Sequence, residues 1–96
     1  MPILSNKSYP PKLELNIAIV GGGRTCKFLL QLLKNESFPY LNIHLVGVCD
    51  INPEAEGLLM ARKMGIYTTA NFKDLFNIKG LDGIIELTNS KAVLLE

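Results

Sequence analysis

The residues best suited to bind a ligand form one glycine-rich segment, Gly21-Gly22-Gly23-Arg24-Thr25-Cys26. It matches the pattern G-x-G-x-x-G/A, with a cysteine in the last position. In this pattern the first glycine makes a tight turn out of a strand, and the second lets a pyrophosphate approach the backbone. The last position must be small so that the following helix packs closely, and the free amides at the start of that helix attract phosphate. The segment therefore predicts a phosphate-binding turn.

The carboxylate of Asp50 is a second candidate contact, because it ends the next strand-like run. An acidic residue there accepts hydrogen bonds from ribose hydroxyls and repels a 2′-phosphate, so NAD is expected in preference to NADP. Asp50 follows Gly21 by about 30 residues rather than the usual ~20, and a long connection at residues 36–42 accounts for the difference. Alternatively, Asp50 caps a helix that starts at Asn52-Pro53, and both roles are compatible.

Four other side chains each have two interpretations. Arg24 contacts phosphate or is simply solvated in the first helical turn. Thr88 and Asn89 follow the last strand-like run, at the edge where open α/β sheets bind ligands, and they contact the nicotinamide side of a dinucleotide or cap a helix. Cys26 begins a helix, where thiol pKa values fall, but no partner base is visible and packing is the favoured role.

The elements that must position these residues alternate between strands and helices. Apolar runs predict strands at 15–20, 43–49, 66–69 and 82–87, and helices are expected at 24–35, from Asn52-Pro53 to a stop at Gly65, and after a cap at Asn71. A further helix would be capped by Asn89 or Ser90. The expected helical apolar faces are Phe28, Leu29, Leu32 and Leu33 in the first helix, and Leu58, Leu59, Ala61 and Met64 in the second.

Strands that alternate with helices at this spacing predict right-handed crossovers and a parallel sheet. We therefore expect an α/β, Rossmann-like three-layer fold with about four parallel strands in the order 3-2-1-4. A full dinucleotide-binding domain has six strands, so the chain is expected to be a truncated piece of a longer protein. The exposed edge of the fourth strand, at Ile84-Ile85, would allow two copies to pair as a homodimer.

Composition narrows the class of protein. The 96 residues, with a net charge of +1, predict one domain at 15–96 after a proline-interrupted lead-in at 1–14. No basic block predicts nucleic-acid binding, and no apolar run is long enough to cross a membrane. Two cysteines and one histidine without metal spacing argue against zinc, and the low cysteine content suggests a reducing cytoplasm.

The stretch from Asn16 to Asn89 resembles the N-terminal half of the glucose–fructose oxidoreductase and inositol dehydrogenase family. The resemblance is carried by the segments Ile17–Gly23, Val46–Pro53, Lys63–Ile66 and Tyr67–Leu75, and by Thr88-Asn89, which resembles a Thr-Pro-Asn of that family without its proline. It implies cofactor contacts at Gly21, Gly23, Arg24, Asp50, Thr88 and Asn89. The chain contains no counterpart of the family's Glu-Lys-Pro segment, whose lysine takes part in catalysis. The glycine turn and the Glu86–Asn89 end are also similar to N-terminal modules of bacterial sensor histidine kinases.

These observations leave three hypotheses: a nucleotide-binding regulatory or sensory module of a signalling protein, the cofactor half of an NAD-dependent oxidoreductase, and a fold without a ligand. In the first two the ligand is a dinucleotide, with NAD favoured and another adenine nucleotide still open. No turnover is expected from this chain alone. No residue is predicted to be catalytic. The predicted contacts are Gly21, Gly22, Gly23, Arg24, Thr25, Asp50, Ile51, Thr88 and Asn89.

Overall fold

The structure, a computed structural model, describes residues 12–88. The strands are β1 (Leu13–Val20), β2 (Leu41–Cys49), β3 (Tyr67–Thr69) and β4 (Gly83–Glu86). The helices are α1 (Arg24–Asn35), α2 (Glu56–Lys63) and a 3₁₀ helix (Phe72–Asn77). Every strand pair is parallel, and the sheet has the order β3-β2-β1-β4. The predicted α/β fold with strand order 3-2-1-4 is therefore confirmed.

Two apolar clusters lie on opposite faces of the sheet. One packs α1 and α2 against the sheet through Ile19, Leu30 and Leu58. The other packs the 3₁₀ helix against the opposite face through Ala18, Cys49 and Leu75. Side chains alternate between the faces of a strand, so neighbours such as Ala18 and Ile19 serve different clusters. The described residues thus form three layers.

Two strands start earlier than predicted. β1 begins at Leu13, whose amide donates to the carbonyl of Tyr40 over 2.9 Å, and it pairs from there with β2 beginning at Leu41. The predicted lead-in at 1–14 therefore includes two residues, Leu13 and Glu14, that belong to β1. The sequence pattern missed these residues because the polar residues Glu14 and Asn42 lie near the starts of β1 and β2, where both strands are at least partly exposed to solvent. Glu14 accepts a hydrogen bond from the side chain of Asn42, and its carboxylate is hydrogen-bonded to His44. The hydrogen bond with His44, and to a smaller extent the one from Asn42, lowers the pKa of Glu14.

The bounds predicted for α1 are confirmed, but its predicted buried face is partly wrong. Cys26 and Leu30 are fully buried, whereas Phe28 is 64% exposed and Leu32 is 40% exposed. Leu29 packs partly buried beside Leu30. The inward face follows the i, i+3, i+4 spacing that begins at Cys26, so the cysteine of the glycine motif sets the rotation of the helix.

The predicted start of α2 is wrong. The helix begins at Glu56 with Ala55 as its N-cap, and no side chain caps it. Asn52 instead accepts a hydrogen bond from the amide of Glu54, and its own amide donates to Asp50. Two successive Asx turns thereby satisfy the loop amides locally and delay the helix. Of the four residues expected on its apolar face, Leu58 and Ala61 are buried, and Leu59 and Met64 are substantially exposed.

The signals at the other helix ends behave as predicted. Gly65, with φ +79°, follows the end of α2. The amides of Gly65 and Ile66 return to the carbonyls of Arg62 and Ala61, which is a Schellman arrangement. The Asn71 side chain accepts from the amide of Lys73 as the predicted cap, and the short helix that follows is 3₁₀ rather than α.

β4 lies at one edge of the described sheet and pairs with β1. The pairing of two copies along its outer edge stays a prediction. The helix expected after Asn89 or Ser90 lies outside the described residues. Between residues 12 and 88, no helix is long and apolar enough to cross a bilayer.

Gly57 gives a test of this packing. A Cβ at Gly57 would lie 2.7 Å from both the Cβ of Cys26 and the carbonyl oxygen of Gly23, so Gly57→Ala must push α2 away from α1. We expect a loss of about 1–3 kcal/mol in the free energy of unfolding, the usual cost of overpacking, measured by chemical denaturation. Gly83→Ala is the matched control, because its Cβ would find an ordinary contact at 3.5 Å. Equal stability of the two variants would contradict the packing.

Candidate functional site

A cleft of about 860 Å³ opens where β1, β2 and β4 end. Parallel strands bring their carboxyl ends to one edge of the sheet, and ligands of open α/β sheets bind outside that edge. The volume falls within the roughly 300–1,000 Å³ of typical small-molecule sites. The cleft is lined by Val20, Gly21, Gly23, Arg24, Thr25, Cys49, Asp50, Ile51, Glu56, Ala70, Phe72, Leu87 and Thr88.

Gly21 makes the turn out of β1 as the motif predicts. Its φ is +106°, a region that side chains disfavour. Its amide donates to the carbonyl of Cys49 over 2.8 Å. A Cβ here would lie 2.7 Å from the carbonyl carbon of Leu87 and 2.8 Å from the nitrogen of Thr88. Glycine is required because the chain leaving β4 crosses directly over this position.

Gly23 differs from Gly21, because a Cβ built on it would meet no heavy atom of residues 12–88 within 4 Å. The space belongs to the cleft, which Gly23 lines. Gly23 is also the N-cap of α1, which has no capping side chain and no acidic residue in its first turn. The amides of a first helical turn lack partners within the helix, and the dipole makes that end positive. This corner can therefore receive an anion close to the backbone.

Asp50 ties the end of β2 to the glycine turn. Its Oδ2 accepts a hydrogen bond from the amide of Gly22 over 2.7 Å, and its Oδ1 accepts one from the amide of Asn52 over 2.8 Å. The alternative role as a helix cap is replaced by this loop contact, since α2 begins only at Glu56. Asp50 also lines the cleft, and a carboxylate oxygen has more than one lone pair. Each oxygen can still accept a hydroxyl from a ligand.

The starts of α1 and α2 are held together behind the turn. The amide of Leu58 donates to the carbonyl of Gly22 over 2.9 Å, and Cys26 is buried against Gly57. The motif predicts a small third residue for packing, and here that packing is against a second helix. Burial, assisted by the charge of Asp50, raises the pKa of Cys26 to about 11. The thiol is therefore protonated near neutral pH and poorly nucleophilic.

The remaining predicted residues are divided in their placement. Thr25 is exposed and Thr88 half-buried, and both line the cleft. Ile51 also lines it, with an 85% exposed side chain. The Arg24 side chain is 89% exposed, with Nε 3.8 Å from Glu56 Oε2. Asn89 lies outside the described residues.

Sequence reasoning missed Glu56, Ala70 and Phe72. Ala70 and Phe72 directly follow β3, so the same strand-end reasoning that found Asp50 would have placed them at the cleft. Glu56 had no such signal. A helix starting at Pro53 would have put it a full turn inside, away from the ligand edge. Among residues 12–88, no group of three or more His, Cys, Asp or Glu side chains is arranged to hold a metal ion.

Asp50 gives a stability test of this corner. Asp50→Ala removes a charge-assisted hydrogen bond to Gly22 and a second bond to Asn52. We expect a loss of about 1–2 kcal/mol in the free energy of unfolding, toward the lower end for hydrogen bonds to charged groups because the site is half-exposed. Asp50→Asn keeps the shape and one acceptor and should lose less. Denaturant titration measures both, and an Asp50→Ala variant as stable as the native chain would contradict the assigned role.

Comparison of the chain with protein-family models and with curated proteins found no match. Neither comparison therefore supports the resemblance of the glycine turn and of the strand that ends before Asp50 to a known family. Function must be inferred from the fold and from the cleft.

Proposed function

We propose that this chain binds an NAD-type dinucleotide in the cleft, as a regulatory or sensory ligand-binding module of a larger signalling protein. The observation that carries the proposal is the open space at Gly23 beside the uncapped start of α1. Backbone without a side chain and unpartnered amides at a positive helix end suit a diphosphate. In this proposal the diphosphate lies over Gly23, with Arg24 and Thr25 beside it.

The adenosine half of the dinucleotide would lie over the ends of β2 and β3. Asp50 would accept hydrogen bonds from the ribose hydroxyls, and its negative charge would repel a 2′-phosphate, which favours NAD over NADP. Ile51, Ala70 and Phe72 supply apolar surface along the same cleft. Phe72 is 51% exposed, so its ring is accessible, and an adenine ring gains from contact with an aromatic or aliphatic surface.

The other half of the dinucleotide would lie toward the end of β4. Leu87 and Thr88 line that side of the cleft, and the Thr88 hydroxyl can both donate and accept hydrogen bonds. Asn89 is proposed as the neighbouring contact on the basis of the family resemblance. This half carries the nicotinamide ring, so contacts here would distinguish a dinucleotide from a shorter adenine nucleotide.

A binding role is favoured over a catalytic one by the titratable side chains that line the cleft. Asp50 uses both oxygens on backbone amides, and Glu56 faces Arg24 and Lys27. Burial, together with the nearby carboxylates, raises the pKa of Cys49. The buried Cys49 thiol is therefore unsuited to proton transfer, and the two carboxylates are positioned to hold backbone amides and cations.

The alternative function is the cofactor half of an NAD-dependent oxidoreductase. The resemblance of Val46–Pro53 and of the glycine turn to the glucose–fructose oxidoreductase and inositol dehydrogenase family favours it. In that case the parent protein would supply the missing catalytic lysine. Neither function predicts turnover by the purified chain. Reduction of NAD⁺ with a polyol substrate by a parent protein that carries the Glu-Lys-Pro segment would favour this function over the proposed one.

Gly23→Val tests the proposed function. The new side chain would fill the space over the start of α1, where no described residue lies within 4 Å of its Cβ. We expect the native chain to bind NAD⁺ more tightly than NADP⁺ in calorimetric titrations. We expect Gly23→Val to lose at least about tenfold in affinity, a difference of ~1.4 kcal/mol, while it unfolds at nearly the same denaturant concentration.

Gly65→Ala is the matched control. Gly65 also faces open space but has φ +79°, so an alanine should cost about 1 kcal/mol of stability through backbone strain and leave NAD⁺ affinity unchanged. Gly23→Val should therefore change the affinity and not the stability, whereas Gly65→Ala should change the stability and not the affinity. The proposed function fails if the native chain binds neither dinucleotide, or if Gly23→Val binds NAD⁺ as well as the native chain does.

A further inference from the structure

Glu56 places a carboxylate in the cleft where the proposed ligand is itself anionic. It is the first residue of α2 and lines the cleft together with Gly23 and Arg24. Its Oε2 lies 3.8 Å from Arg24 Nε, and its Oε1 lies 3.5 Å from Lys27 Nζ. One carboxylate thus faces two cations of α1: Arg24, which lines the cleft, and Lys27, which lies beside it outside the lining.

The backbone around Glu56 fixes this position. Leu58 donates from its amide to the carbonyl of Gly22, and Gly57 packs against Cys26 with no room for a Cβ. The start of α2 cannot move away without opening that contact. The Glu56 side chain is half-exposed, so the carboxylate itself can rotate. The ion pairs can therefore break while the helix stays in place.

We infer that Glu56 is an internal competitor for the phosphate site: it pairs with Arg24 and Lys27 when no ligand is bound, and it releases them when the ligand diphosphate binds. The inference rests on the proposed function and deepens it. Exposed ion pairs at such distances are weak and are screened by salt. A diphosphate carries more charge than one carboxylate, so it can displace Glu56 from both cations. Glu56 then lowers the affinity for phosphate-bearing ligands and keeps binding reversible.

Glu56→Gln tests this role, with calorimetric titration of four probes: NAD⁺, ADP-ribose, inorganic pyrophosphate and adenosine. The variant should bind the three diphosphate-bearing probes about two- to fivefold more tightly than the native chain, the range expected for release of an exposed ion pair. The gain should shrink at high salt. Adenosine carries no phosphate, so its affinity should not change.

Two further variants separate displacement from simple repulsion. Glu54→Gln makes the same charge change two residues earlier, at a residue that does not line the cleft, and it should leave all affinities unchanged. In an Arg24→Gln background the gain from Glu56→Gln should fall, because one of the two released cations is gone. Equal melting temperatures of the Glu56→Gln and Glu54→Gln variants establish that the fold is intact.

The outcomes distinguish this inference from the proposed function. If the native chain binds NAD⁺ and Glu56→Gln leaves the affinity unchanged or weakens it, the inference fails and the proposed function stands. A full gain that persists in the Arg24→Gln background, or an equal gain for adenosine, also overturns it. If Glu56→Gln strengthens pyrophosphate binding while NAD⁺ does not bind, the inference stands and the dinucleotide proposal fails. If neither chain binds any phosphate probe, both fail.

Discussion

The Asp50 carboxylate bonded to the amide of Gly22 is the interaction on which this corner of the molecule depends. It joins the end of β2 to the turn between β1 and α1 over 2.7 Å. The same carboxylate holds the loop that leads to α2, and α2 returns a hydrogen bond from Leu58 to the carbonyl of Gly22. Gly22 is thus held at both its amide and its carbonyl. This fixes the start of α1, whose first residues Arg24 and Thr25 line the cleft.

The glycines around this bond have two different physical roles. Gly21 and Gly57 are places where backbone or Cys26 approaches too closely for a Cβ, so they are required by packing. Among the described residues, Gly23 has no neighbour that would exclude a Cβ. Under the proposed function, glycine at this uncapped helix start leaves the backbone open to a ligand. Glu56 lies at the same opening, where its negative charge partly offsets the positive charge at the start of α1.

Much of the fold could be predicted from the sequence because its signals are local. The apolar runs that end at Gly21 and Asp50, the bounds of α1, and the caps at Gly65 and Asn71 depend on neighbouring residues alone. The rotation of α1 could not be predicted as securely. Phe28, Leu29, Leu30, Leu32 and Leu33 are all apolar and cover more than one face, and only contact with the sheet and α2 selects the face that begins at Cys26.

Parts of the site were beyond sequence reasoning for a related reason. Asn52-Pro53 is a good helix start by its local chemistry, yet Asn52 forms an Asx turn instead and α2 begins at Glu56. That later start, which follows the two Asx turns, is what brings Glu56 to the cleft. Gly21, Gly23 and Asp50 could be placed there because strand ends share one edge of a parallel sheet. No comparable rule predicts from sequence how closely the starts of α1 and α2 approach each other.

The most direct test of the central claim is a nuclear magnetic resonance titration of the nitrogen-15-labelled chain with ADP-ribose, following each backbone amide. If the diphosphate lies on the start of α1, the largest saturable shifts belong to Gly23, Arg24 and Thr25, and adenosine alone shifts these amides much less. Saturable shifts confined to other parts of the chain, or no saturation at all, would contradict the claim that this turn is a phosphate site.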